Sequence, residues 1–289
     1  MSRKTIPRKN RKSVFVLIIP RFEDLANSFY AGEVTKGANI AASRLDVDIL
    51  IHLVDRKDHS HWLSGLLAPD FIDGILFADI DRDWDVVKRA IRCTIPTMVL
   101  NNPTVEPFNC IAIDNRRAAR QAVEYLISLG HQKIATVAGD LSTQAGQDRL
   151  EGYYEGLIAA GLPKDKAFVK KGGFLRTPAR SAAQALLKDG NRPTAIFAAS
   201  DVMAYEVIAV AKSLGLSVPE DLSVIGFDNN LEAGADGLRL TTFEQPIVDM
   251  ARLGMESLFQ MSLGLAKLPV KILLEAKFIK GQSTAAPKS

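Results

Sequence analysis

The 289-residue chain is short of several things that would commit it to common protein classes. It has two cysteines, Cys93 and Cys110, too few for a disulfide-built scaffold and compatible with a reducing compartment. Buried structural thiols are the default reading for both. No stretch reaches the roughly 20 apolar residues that a membrane-spanning helix needs. The run Val14-Phe15-Val16-Leu17-Ile18-Ile19 stops at Pro20 and is too short for the apolar core of a secretory signal. These absences lead to the expectation of a soluble, cytoplasmic protein with no membrane partner.

Signatures of chemistry are missing too. There is no GxGxxG, GxxxxGK[ST], GxSxG or HExxH, so dinucleotide binding, a phosphate-binding loop, a nucleophile elbow and a zincin site all lack their marks. The acidic run from Asp79 to Asp85 imitates the start of a calcium loop. Its sixth position is Trp84 where glycine is needed, and its twelfth is Ala90 where glutamate is needed. His59 and His61 have no downstream partner pair and read as loop residues. No metal, no cofactor and no catalytic residue is expected.

Charge is distributed unevenly. The net charge is +3, but six of the 36 basic residues fall within the first twelve positions, leaving 30 against 33 acidic residues over the rest. A body of net charge −3 is no general nucleic-acid binder, and residues 1–13 read as a basic linker or tail.

What the chain does have is alternation. Short β-branched runs at Val14–Ile19, Val47–Leu53, Gly74–Phe77, Thr97–Leu100, Lys133–Ala138, Thr194–Ala198 and Leu222–Gly226 are separated by helical patterns. Val34, Ala38, Ala41, Ala42 and Leu45 share one helix face; Ala119, Ala122, Val123 and Leu126 share another, closed by Gly130. This is the pattern of βαβ units around parallel sheets. It restarts after Ile113, which predicts an α/β protein of two Rossmann-like lobes. After a helical stretch around Pro246–Leu263 come two strand-like segments, Val270–Glu275 and Lys277–Lys280, suggesting that the chain crosses back between lobes. The lobes are expected to comprise residues 14–113 plus 242–270 and residues 114–241 plus 271–289.

Polar residues gather just past the strands. Asn27 and Phe29 follow the first, Asp79 closes the third, and Asn101 follows the fourth. Ser200-Asp201 and Asp228-Asn229-Asn230 follow two later ones, and Arg149 stands early in a helix. Taken singly, such residues are turn and cap formers. As a set at the carboxyl ends of parallel strands, where ligands sit in open α/β sheets, they suit a polar ring held by hydrogen bonds. Arg149 and Asp228 are expected at the surface of a cleft.

At these positions the sequence resembles the LacI/GalR family of transcriptional regulators over almost its whole length. The similarity runs through Asn27-Ser28-Phe29-Tyr30, through Ile113-Asp114-Asn115 and Leu129-Gly130-His131, and on to Arg149 with Gly152-Tyr153. It continues through Ser200-Asp201, Pro219-Glu220-Asp221, Val224-Ile225-Gly226-Phe227-Asp228 and Gln245-Pro246, and ends at Gly281-Gln282-Ser283-Thr284. The resemblance implies a periplasmic-binding-protein-like (type I) fold with crossover strands, and a homodimer that binds a sugar-like or nucleoside- or purine-like effector. It implies Arg149 and Asp228 as the principal ligands, Phe174 as a stacking aromatic, Asn101 as a polar contact and Gln245 as part of the site. Ser28 stands where the family has proline, and Ser200 where many members have asparagine. The family's helix-turn-helix head is not matched by residues 1–13, so DNA contact is expected only through a head outside this sequence. A solute-binding protein for sugar uptake is the second reading, and an enzyme on a doubly wound fold the third.

Overall fold

In a computed structural model the described residues are 11–21, 28–55, 72–78, 84–103, 108–188, 190–231 and 237–288. Along the chain run β1 (Val14–Arg21), α1 (Phe29–Leu45), β2 (Asp48–Asp55), β3 (Ile72–Phe77), α2 (Trp84–Arg92), β4 (Thr97–Leu100) and β5 (Cys110–Ile113). Then come α3 (Asn115–Ser128), β6 (Ile134–Ala138), α4 (Gln144–Ala159), β7 (Val169–Lys171), α5 (Arg176–Leu187), β8 (Ala195–Ala198), α6 (Asp201–Ser213) and β9 (Ser223–Ile225). The last are β10 (Thr242–Glu244), α7 (Ile247–Ser262), β11 (Lys271–Leu274) and β12 (Lys277–Ile279). No described helix is long and apolar enough to cross a membrane.

The chain divides into two compact units, residues 1–112 with 247–273 and residues 113–246 with 274–289. In the first, a six-stranded sheet has the order β11-β5-β4-β3-β1-β2, with β1 through β5 pairing in parallel. Strands of a parallel sheet covered on both faces are continuously apolar. Phe15 through Ile19 and Ile75 through Phe77 are accordingly all buried. The Ser28 hydroxyl caps α1 by accepting the Ala31 N–H. At Gly37 an added Cβ would lie 2.2 Å from the Val248 carbonyl oxygen, so the absence of a side chain lets α1 approach α7 closely.

The second unit carries a parallel sheet of order β7-β6-β8-β9. Its strands alternate sides as a pleated chain must. Ala135, Val137, Ile196, Ala198 and Val224 pack with residues of α5 and α6. Ile134, Ala195, Phe197 and Ile225 pack with α3 and α4 on the opposite face. The final segment is bonded along β9: Val224 N–H donates to Ser283 O, and His131, buried, reaches Thr194 Oγ1 through Nδ1 and the Ala285 carbonyl through Nε2, each at 2.9 Å.

The units differ in detail from the expected lobes. Residues 242–246 belong to the second unit, because β10 pairs antiparallel with β12. Residues 271–273 belong to the first, where β11 lies against β5. Arg11, expected within a free linker, forks onto Asp73 with 3.0 and 3.1 Å hydrogen bonds. The remainder of the basic tail, residues 1–10, lies outside the described residues. Sequence patterning did not pick out β7, whose Val169-Lys170-Lys171 is a short, half-exposed edge strand with no apolar run to mark it.

Candidate functional site

Parallel pairing sends the carboxyl ends of β6, β7, β8 and β9 to one edge of the second unit's sheet, and each strand delivers a different group there. β6 ends at Ala138 and Gly139; β7 leads through Gly172 and Gly173 to Phe174; β8 leads to Ala199 and Ser200; β9 leads through Gly226 and Phe227 to Asp228. A Cβ on Gly139 would stand 2.1 Å from Phe174 Cζ, so the Phe174 ring rests on bare backbone. Phe174 and Asp228 both hold positive φ, 64° and 124°, conformations that cost side-chain-bearing residues energy and concentrate at functional edges.

Arg149, on α4, fills the middle of this edge. Its Nε donates to Asn115 Oδ1 at 2.9 Å, and its Nη1 donates to the Ala199 carbonyl at 2.5 Å and reaches Asp228 Oδ1 at 3.5 Å. Its Cζ lies 3.9 Å from the centroid of the Phe227 ring and 5.5 Å from that of Phe174. The guanidinium is therefore held on one plane by aromatic faces and at its rim by acceptors. Sequence reading expected it at a surface. The structure places it in the interior, 4 % exposed, because the acceptors of α3 and β8 lie beneath the helix that carries it. It is a fixed floor, and Asp228, 15 % exposed, is the more reachable of the two charges.

Two carboxylates face this cation among the described residues. Asp228 Oδ1 accepts the Gln245 side-chain amide at 2.5 Å. Asp201, the first residue of α6, is wholly buried; it accepts the Thr242 hydroxyl and the Asn230 N–H, each at 2.7 Å. Burial pushes both carboxyls above the ordinary carboxylate range, and for Asp201 the neighbouring Asp228 charge adds to it. Arg149 moves down through the same burial, opposed by both aspartates. Gln245 is nine-tenths buried and its Oε1 has no hydrogen-bond partner among the described residues. Its orientation is fixed by chemistry, since the carboxylate of Asp228 accepts only from the amide nitrogen. An unpaired acceptor at such depth calls for a donor from outside the chain.

Of the expected site residues, the structure brings Arg149, Phe174, Asp228 and Gln245 together. Ser200 adjoins them through Ala199, but its hydroxyl is engaged in capping α6 by accepting the Met203 N–H. Phe29 and Asn101 belong to the first unit: Phe29 opens α1, and Asn101, buried and with φ of 58°, donates its N–H to Ile111 O. Asn27 and Asp79 lie outside the described residues, as do His59 and His61. Among the described residues no group of three or more metal-ligating side chains occurs. Sequence reasoning did not select Asp201, Asn115 or Phe227. The Ser200-Asp201 pair was counted among the polar residues that follow strands, but only Ser200 was carried into the expected site.

Comparison with known proteins gives a consistent picture. Residues 123–284 match the family described as periplasmic binding protein-like domain. The chain is 33 % identical over 281 residues to the HTH-type transcriptional regulator DegA of Bacillus subtilis, covering 95 % of this chain and 82 % of DegA. Among solved structures, the transcriptional regulator CelR in complex with cellobiose superposes with a TM-score of 0.86 at 28 % identity, over 95 % of this chain and 85 % of that one. The lac repressor dimer bound to operator and the anti-inducer ONPF gives the same TM-score at 25 % identity, over 96 % of each chain.

Proposed function

The chain belongs to the LacI/GalR family of transcriptional regulators, and from that premise we propose that it is an effector-sensing core which binds a small polar molecule, a sugar or nucleoside, and does no chemistry on it. The observation that carries this reading is the buried, unpaired Oε1 of Gln245 beside the Asp228 carboxylate. Both are acceptors, and both stand at the strand ends where such a ligand is bound. Ligand hydroxyl or N–H groups donate to Asp228 Oδ2 and Gln245 Oε1, and Phe174 stacks on the ring. Arg149 keeps Phe174 and Asp228 in place from below. The cellobiose complex of CelR supports a sugar as the effector class.

Phe29 and Asn101 of the first unit, together with Asn27 and Ser200, are candidate contacts by family resemblance, and Asp79 is one by its place at the end of a strand. The same reading makes the protein a cytoplasmic homodimer that meets DNA through a helix-turn-helix head. The edge strand β2, which presents Leu50, Ile51 and Leu53 to solvent, supports self-association, because an open apolar edge is otherwise an aggregation hazard. Uptake of sugars as a solute-binding protein has no comparable support from the relatives, which are regulators.

A thermal-shift panel of neutral sugars, sugar phosphates, nucleosides and purines tests the reading, because a ligand that binds only the folded state raises its melting temperature. We expect at least one neutral sugar or nucleoside to stabilise the wild type and to lose that effect in Asp228→Asn. Stabilisation that survives Asp228→Asn would contradict the assignment.

A further inference from the structure

Asp228 and Gln245 reach the proposed ligand face from two separate stretches of chain. Backbone hydrogen bonds lay the stretches side by side: Gly226 N–H donates to Thr241 O at 2.9 Å, and Asp228 N–H donates to Phe243 O at 2.8 Å. Past that point the first stretch turns away through φ of 124° at Asp228 and 58° at Asn229. Residues with side chains hold such conformations only where their surroundings over-determine them.

Asp201 supplies that restraint from below. Its Oδ2 accepts the Asn230 N–H and its Oδ1 accepts the Thr242 hydroxyl, each at 2.7 Å. Its own N–H donates to Phe227 O at 2.7 Å, and Thr242 Oγ1 in turn accepts the Asn229 N–H at 3.5 Å. The stretch that carries Asp228 and the strand that leads to Gln245 are thus fastened to one carboxylate, 1 % exposed. Its mounting is firm: Asp201 opens α6, whose Met203, Ala204 and Val207 are packed in the core. The space for it is made by Gly226, where a Cβ would come within 2.2 Å of Asp201 Oδ1.

We propose that Asp201 is a positioning residue for the effector site, a staple that fixes the Asp228 carboxylate against the Gln245 amide without touching the ligand. The proposal rests on the reading of Asp228 and Gln245 as the effector's acceptors. Its consequence is a ligand face assembled before the ligand arrives, so that little of the binding energy goes into ordering it. Thr242 is the second arm of the staple, since its hydroxyl joins Asp201 to both stretches.

The test is NMR of the ligand-free protein with glutamine side-chain amides and arginine Nε labelled, beside urea melts that verify folding. In the wild type the Gln245 amide proton donated to Asp228 should lie downfield of free glutamine, as a hydrogen bond to a carboxylate requires. Thr242→Val should move it toward the free position, Asp201→Ala should move it further, and Thr242→Ser, which keeps the hydroxyl, should leave it at the wild-type position. The Arg149 Nε–H signal should stay in place throughout, because its acceptor is Asn115, which none of these changes touches. An unmoved Gln245 signal in folded Thr242→Val would overturn the proposal. So would equal movement of the Arg149 signal, which would mean general loosening of the strand edge. If Asp201→Ala does not fold, the two Thr242 variants decide; if Thr242→Val does not fold either, the staple serves folding and the proposal fails. No ligand enters this experiment, so failure of every sugar and nucleoside to bind would count against the effector reading alone.

Discussion

Gln245 donates its side-chain amide to Asp228 Oδ1 at 2.5 Å, while its own carbonyl oxygen lies buried with no hydrogen-bond partner among the described residues. The pair behaves as a prepared half of a hydrogen-bond network: one carboxylate aimed by an amide, and one acceptor waiting for a donor. Replacing Gln245 with leucine deletes both. We expect Gln245→Leu to weaken effector binding roughly tenfold to a hundredfold, the range of a hydrogen bond to a charged group. The folded state should lose little stability, because removal of the unpaired oxygen offsets the donor that Asp228 loses. Calorimetric titration beside a urea melt separates the two effects.

Phe174 and Gly139 make a second, sharper experiment. A methyl at Gly139 would occupy the space of the Phe174 ring, at 2.1 Å from Cζ. Phe174 is only partly buried, so its ring swings outward and the fold survives. Gly139→Ala is expected to lower effector affinity with little change in melting temperature. Equal loss of both would mean that the ring serves only packing.

Arg149 is expected to matter more for folding than for contact. Removing one partner of a buried charge pair typically costs about 3–5 kcal/mol, because the other charge is left uncompensated. Arg149→Met should therefore be strongly destabilised in urea melts. Adding Asp228→Asn should recover part of the loss, as a double-mutant cycle reveals coupling between residues in one network.

The C-terminal segment gives a pH dependence of known sign. Burial lowers the His131 imidazole below its ordinary value, partly offset by the Ala285 carbonyl that it faces. The folded protein therefore holds His131 neutral more readily than the unfolded chain does. Its contribution is complete above the ordinary value of 6.5 and is lost as the pH falls from there through the lowered folded value. The buried carboxyls of Asp201 and Asp228 run the other way: raised by burial, they favour the folded state most at low pH, and that contribution fades as the pH rises. The difference in melting temperature between wild type and His131→Asn isolates the histidine, and it should shrink on acidification below neutrality.

Much of the fold was legible because parallel strands buried on both faces leave long apolar marks. Ile72–Phe77, Thr97–Leu100 and Ile134–Ala138 are buried throughout. Val169-Lys170-Lys171 left none, since an edge strand of three residues with lysines is indistinguishable from a loop. At the site, Asp228 stood out as a polar residue following a strand, and Gln245 entered only through the resemblance to the LacI/GalR family. The depth of Arg149 did not, because it is decided by Asn115, 34 positions earlier, and Ala199, 50 positions later. Asp201 was hidden for a similar reason: its burial depends on Thr242, and on Gly226, where any Cβ would come within 2.2 Å of its Oδ1.

The most direct test of the account is to watch the site while a ligand binds. With side-chain amide and guanidinium nitrogens labelled, NMR titration with the ligand found in the thermal-shift panel should perturb the Gln245 amide and Arg149 Nε–H signals first and most. A saturable titration that leaves both unmoved, with the largest shifts elsewhere in the chain, would contradict the assignment of this strand edge as the effector site.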